Sequence, residues 1–188
     1  YVGVDFSARL LARARAAIPS GTFYMRDIGE PAALHGLGTF CAVASLAVLQ
    51  HIPGRERRVR VLRELRHHLA PGGRLFLSTW QFMQSERQRR KIAAWGAADI
   101  DPAAVEPHDY LLTWQSGGFG LRYVCYIDRE EMAHLAADAG LVLVHYFRSD
   151  GREGNLNLYG ILERRSEAAG NVNETLTHHN NYAATGTI

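Results

Sequence analysis

Asp5 closes a short β-type run, Tyr1-Val2-Gly3-Val4-Asp5, and Ser7 opens a helix two residues later. A carboxylate ending such a strand is placed to accept hydrogen bonds from ribose hydroxyls, as in nucleoside-binding βαβ units. Phe6 adds an apolar edge for a purine, and Ser7 closes the group. Asp5 has a second reading, as a carboxylate capping the helix near Ser7. Asp27, at the end of Phe23-Tyr24-Met25-Arg26-Asp27-Ile28, repeats the pattern, with the backbone of Ile28 beside it. The third group, Ser45 to His51, ends the apolar run 40–49. Ligands in open α/β sheets bind beyond the carboxyl ends of the strands. Ser45, Leu46 and Ala47 are therefore candidates to touch a cofactor, and Gln50 and His51 to face a substrate. His51 reads equally well as a structural histidine capping the next turn.

The elements that must position these groups follow from periodicity and punctuation. Ser7 is an N-cap for a helix over 8–17 whose apolar positions Leu10, Leu11, Ala14 and Ile18 keep helical spacing. Residues 23–28 read as a strand, 29–38 as loop, and 40–49 as a strand buried on both faces of a parallel sheet. An Arg-rich helix over 55–69 turns Val59, Leu62, Leu65 and Leu69 inward and Arg57, Arg60 and Arg63 outward, with Glu56 and Glu64 able to pair with Arg60. Pro71-Gly72-Gly73 ends it, and 74–80 returns as a strand. Residues 85–95 are expected to be helical, and 96–120, with Pro102 and Pro107, an inserted loop or cap. Asp128 opens a helix that Gly140 closes, and 141–147 with 156–163 form an antiparallel pair. This order predicts a Rossmann-like α/β sheet, mostly parallel with an antiparallel C-terminal strand and missing its first strand. The domain spans 1–165, and 166–188 is expected to be a disordered tail.

Composition narrows the function classes. The chain of 188 residues is 47% hydrophobic, enough for one domain with a substantial core. Its net charge is only +2, but from Gly54 to Lys91 eleven Lys and Arg face three Asp and Glu. Such a run is a solvated helix face or a phosphate-attracting surface. Cys41 and Cys125 lack CxxC spacing and read as buried free thiols of a reducing cytosol. No stretch is apolar enough to span a membrane, and His178-His179 lacks the further ligands of a metal site.

Together the segments resemble class I S-adenosylmethionine-dependent methyltransferases of the type 11 group. YVGVDFSARLLARAR looks like that family's second motif, FYMRDI like its adenine-reading strand, and FCAVASLAVLQHI like its fourth-strand motif. LRHHLAPGGRLFLSTW is similar to its helix, PGG turn and following strand. The family's glycine-rich turn, which holds the methionine end of the cofactor, is not found here. The chain is thus expected to begin inside the domain and to bind the cofactor weakly. A further resemblance is to tRNA wobble-uridine carboxymethyl methyltransferases, through SLAVLQHIPGRERRVRVLRELRHHLAPGG, LRYVCYIDREEMAHLAADAGL and GREGNLNLYGILER. It implies Arg122, Tyr123, Arg152 and Asn155 as substrate-side residues. Val124-Cys125-Tyr126 replaces the Tyr-His-aromatic order, and Leu156 stands where Trp is often found.

What the resemblance implies is a cytoplasmic enzyme using S-adenosyl-L-methionine, with tRNA as substrate. Methyl transfer from a sulfonium is an in-line displacement in which proximity and orientation carry most of the rate. A carboxylate nucleophile needs no general base, so no catalytic acid/base pair is expected. Two alternatives remain: a small-molecule O- or N-methyltransferase lidded by 96–120, favoured if two or more of Tyr110, Trp114 and Phe119 point inward, and a truncated, non-catalytic protein- or RNA-binding module.

Overall fold

The computed structural model describes residues 1–114 and 118–165, so the tail expected over 166–188 lies outside the described residues. Strand β1 (Val2–Asp5) leads into helix α1 (Ala8–Ala17), capped by Ser7, whose hydroxyl accepts the Leu10 N–H at 3.3 Å. Leu11 is the buried anchor of α1, while Leu10, expected beside it, is half exposed. The chain returns as β2 (Thr22–Met25), parallel to β1, and ends two residues before Asp27. Residues 29–38 are turns.

A second sheet holds β3 (Phe40–Leu46), β4 (Leu69–Trp80), β8 (Leu141–Ser149) and β9 (Asn157–Arg164), in the order β3-β4-β9-β8. β3 pairs with β4 in parallel, and β9 runs antiparallel to both β4 and β8. β8 therefore runs in the sense of β4, and β9 alone is reversed. Helices α2 (Arg55–His67) and α4 (Arg129–Asp138) cover one face of this sheet. Val59, Leu62, Leu65, Met132 and Leu135 pack there against Leu75, Leu77, Leu141, Leu158 and Leu162. Asp128 caps α4 by accepting the Glu131 N–H at 3.0 Å, and Gly140 closes it at φ +73°. Leu69 is buried as the first residue of β4 rather than as the end of α2. No helix among the described residues is long and apolar enough to cross a membrane.

Four expectations are corrected. The run 40–49 is a strand only to Leu46, then bends into a 3-10 turn, Leu49–His51. It is not buried on both faces: Cys41, Ala42 and Ala44 are exposed on β3, an edge strand of its sheet, so Cys41 is an open thiol and Cys125 alone is buried. The helix expected over 85–95 shrinks to α3 (Glu86–Arg89), because Ile92 and Ala93 form a strand, β5, that pairs with β6 (Asp109–Trp114). In and beside 96–120, expected to be an inserted loop or cap, β5, β6 and β7 (Gly120–Cys125) form an antiparallel three-stranded sheet, the cap. Glu56 and Glu64 do not pair with Arg60. Arg60 donates to the Gly29 carbonyl, and Glu64 accepts the Ala32 N–H at 3.1 Å, so α2 ties down the loop after β2 instead.

Candidate functional site

β1 and β3 share no hydrogen bond in either sheet, and a cavity of about 620 Å³ lies between them. Its walls are Val4, Asp5 and Phe6 at the end of β1, residues 27–30 after β2, and Phe40 with residues 42–45 of β3. Val48, His51, Ile52, Pro53 and Arg57 close it beyond the carboxyl end of β3. The topology thus gathers Asp5, Phe6, Asp27, Ile28, Ser45 and His51, which are far apart in sequence, around one cleft.

The two carboxylates are held alike. Asp5 Oδ1 accepts the Ser7 N–H at 2.7 Å, and Asp27 Oδ1 accepts the Gly29 N–H at 2.8 Å. Each acid spends one oxygen on fixing the turn that follows its strand, and its Oδ2 accepts no bond among the described residues. A vicinal diol beside Asp5 would find a preset acceptor. Ser45 stands on the opposite wall, but its hydroxyl is buried beneath the cavity surface, without a hydrogen-bond partner among the described residues.

His51 stands at the junction of cavity and cap. Its Nδ1 lies 3.0 Å from the Tyr123 carbonyl oxygen, a contact only an Nδ1–H can make. Nε2 is then the acceptor, with Gln50 Nε2 at 3.4 Å. Burial lowers the His51 pKa below its ordinary value near 6.5, the Tyr123 carbonyl opposes this, and the Arg122 charge adds to it. The ring is therefore neutral at pH 7. It meets the Trp80 ring edge-on at 5.2 Å between centroids.

The cap is fastened by a buried polar cluster. Arg58, 2% exposed, donates to the Ile52 carbonyl at 3.0 Å, to the Tyr123 hydroxyl at 3.1 Å and to Glu106 Oε2 at 2.7 Å. The Tyr123 hydroxyl in turn donates to Asp109 Oδ1 at 2.6 Å. Burial and this bond to Asp109 raise the Tyr123 pKa, so the phenol stays protonated. Burial likewise pushes the adjacent Cys125 thiol up to about 12.

Several sequence candidates are placed elsewhere. Gln50 is fully buried, and its Oε1 accepts the Trp80 N–H at 2.7 Å, so it joins β3 to β4 rather than facing a substrate. Leu46 and Ala47 are absent from the cavity wall: Leu46 is exposed, and Ala47, at φ +54°, donates to Ser78. Ser7 caps α1 and does not line the cavity. Arg152 and Asn155 sit on the turn joining β8 to β9, beyond the cavity wall. Tyr123 holds the cap through its hydroxyl, and Arg122 lies over two indole rings, Trp114 and Trp80, at 4.3 and 5.5 Å. Sequence reading missed the wall residues Val48, Ile52 and Pro53 and the role of Arg57 there. It missed the Arg58 cluster entirely, whose only local signal was one Arg inside an apolar stripe.

Comparisons with known proteins fit this geometry. A family model described as a methyltransferase domain matches residues 1–146. An Encephalitozoon cuniculi protein named "putative methyltransferase" is 29% identical over 163 residues, covering 87% of this chain and 70% of its own length. A mouse protein named "probable tRNA methyltransferase 9B" is 33% identical over 72 residues, 37% of this chain and only 16% of that protein. Among solved structures, an S-adenosylmethionine-dependent methyltransferase from Methanosarcina mazei superposes with a TM-score of 0.63 at 18% identity, covering 87% of this chain and 81% of that one. One from Clostridium acetobutylicum gives 0.63 at 10% identity, covering 88% and 75%. At these identities the likeness is one of fold.

Proposed function

Because the chain belongs to the methyltransferase domain family, we propose that it is an S-adenosylmethionine-dependent methyltransferase whose substrate is a tRNA. The observation that carries the cofactor is the placing of Asp5 and Asp27, each with one carboxylate oxygen unspent among the described residues, on one cavity beyond the strand ends. Asp5 would hold the ribose diol, Phe6 and Ile28 would flank the adenine, and Asp27 would meet its polar edge. When bound, the cofactor supplies an electrophilic methyl group on a sulfonium. The chain's part is to orient that group and to hold the nucleophile in line with it. His51, neutral with Nε2 as acceptor, borders the cleft where the nucleophile would arrive.

The tRNA reading is supported by the open mouth of the cleft. Among the described residues the wall consists of residues from the first 68 positions, and no described residue of the cap closes it. Tyr110 turns inward, but against Phe82. Trp114 and Phe119 are 41% and 74% exposed, so the aromatics that would lid a small-molecule pocket are not in it. The basic stretch 54–91 and the name of the mouse relative point the same way.

Calorimetric titration with S-adenosylmethionine and with 5′-methylthioadenosine tests the cofactor assignment. Both should bind, S-adenosylmethionine weakly as expected above, and Asp5→Ala should weaken both about tenfold or more, since hydrogen bonds to a charged group contribute about 1.5–3 kcal/mol each. Unchanged affinity would remove Asp5 from the site. For the substrate, binding of tRNA should fall steeply with salt as counterions are released. Binding no stronger than to a neutral polymer at low salt would end the tRNA reading.

A further inference from the structure

The cap carries a ring system the cofactor site does not use. His51, on the cavity wall, meets the edge of Trp80; Arg122 lies over Trp80 at 5.5 Å and over Trp114 at 4.3 Å. Trp114 remains 41% exposed at the outer end of β6. The four side chains thus run from the cleft to the surface as ring, ring, guanidinium, ring. A cation lies beside the outer end: the Lys91 carbonyl accepts the Thr113 N–H at 2.8 Å, which places the backbone of Lys91 beside the end of β6.

We propose that Trp114, backed by Arg122 and Trp80, is a stacking subsite for an unpaired nucleobase flanking the nucleotide that receives the methyl group. This rests on the tRNA reading above. A guanidinium held between two indoles fixes its planar neighbours without using a carboxylate, so the outer indole is a pre-ordered face. Any base has a π-face to lay on it, which gives affinity for single strands without sequence readout. Lys91 beside it suits a phosphate flanking that base. Continuity with His51 sets the subsite beside the reacting nucleotide rather than at a remote surface.

The test uses tryptophan fluorescence of the whole chain titrated with oligouridylate and with an RNA duplex of the same length. The single strand should quench the emission and bind more tightly than the duplex. Trp114→Ala should weaken single-strand binding about tenfold, within the range for loss of one stacked base. Trp114→Phe should retain most of the affinity, and binding of 5′-methylthioadenosine should be unchanged in both variants. Lys91→Ala should lower the salt slope, whereas Trp114→Ala should leave it intact. Equal binding of single strand and duplex, or undiminished binding by Trp114→Ala, would overturn the subsite while leaving the tRNA reading in place. Failure of the unaltered chain to bind any RNA would overturn both.

Discussion

His51 ties the chemistry of the cleft to its stability. The folded protein holds the ring neutral, with a pKa below the unfolded value near 6.5. The unfolded chain therefore binds more protons in the interval between the two values, and stability rises with pH there. It is fully present above the unfolded pKa and falls as the solution is acidified through 6.5 toward the folded pKa. His51→Asn, whose amide can still donate to the Tyr123 carbonyl, should lose part of that acid sensitivity; urea midpoints from pH 8 to pH 5 compare the two. Identical pH dependence would show that the ring is not held neutral. At this scale the sequence was legible where a residue's role follows from its place on a strand: Asp5, Asp27 and Ser45 all stand at strand ends and all reach the cleft. It was opaque where partners meet only in space. Arg58 and Glu106 lie 48 residues apart, and nothing local to either announces the other.

The PGG turn shows how an element can be fixed by one backbone contact. Gly72 is at φ +72°, and a Cβ on Gly73 would come within 2.9 Å of the Phe40 carbonyl and 3.1 Å of the Cys41 carbonyl. Both oxygens belong to β3, so β4, which contains this segment, runs hard against its neighbour there and only a residue without a side chain fits. Gly73→Ala should destabilise the fold by about 1–3 kcal/mol through overpacking, read as a lower denaturation midpoint. An unchanged midpoint would mean that β3 yields freely. The strands and helices of the main sheet were legible because their apolar runs and caps are strong. The strands of the cap were not: Tyr110-Leu111-Leu112-Thr113-Trp114 is a strand-like run inside a polar, proline-bearing stretch. The short β5 gains its strand state only by pairing with it. Tertiary pairing overrode the helical propensity of 85–95.

Across the whole molecule, the two sheets meet through side chains and loops rather than a shared ladder. Val4 and Ile28 pack on the main core, and Arg60 and Glu64 hold the loop after β2. The unit β1-α1-β2 should therefore open on its own, at lower free energy than the β4-β9 centre. Hydrogen exchange checks this: amides of Val4 and Tyr24 should exchange well before that of Leu77. A nucleoside ligand at a hundred times its Kd should slow the first two by up to about 2.7 kcal/mol of protection. Uniform protection would show one cooperative unit. The overall α/β order was readable from the sequence, since strand and helix alternate with clear punctuation.

The edge position of β3 has a practical corollary. Its Cys41 thiol is open to solvent, whereas Cys125 is buried with its ionisation pushed to about 12. A maleimide dye would thus be directed to a single natural position on the strand that walls the cleft. The unmutated protein carries its own attachment point for a fluorescent reporter of ligand entry.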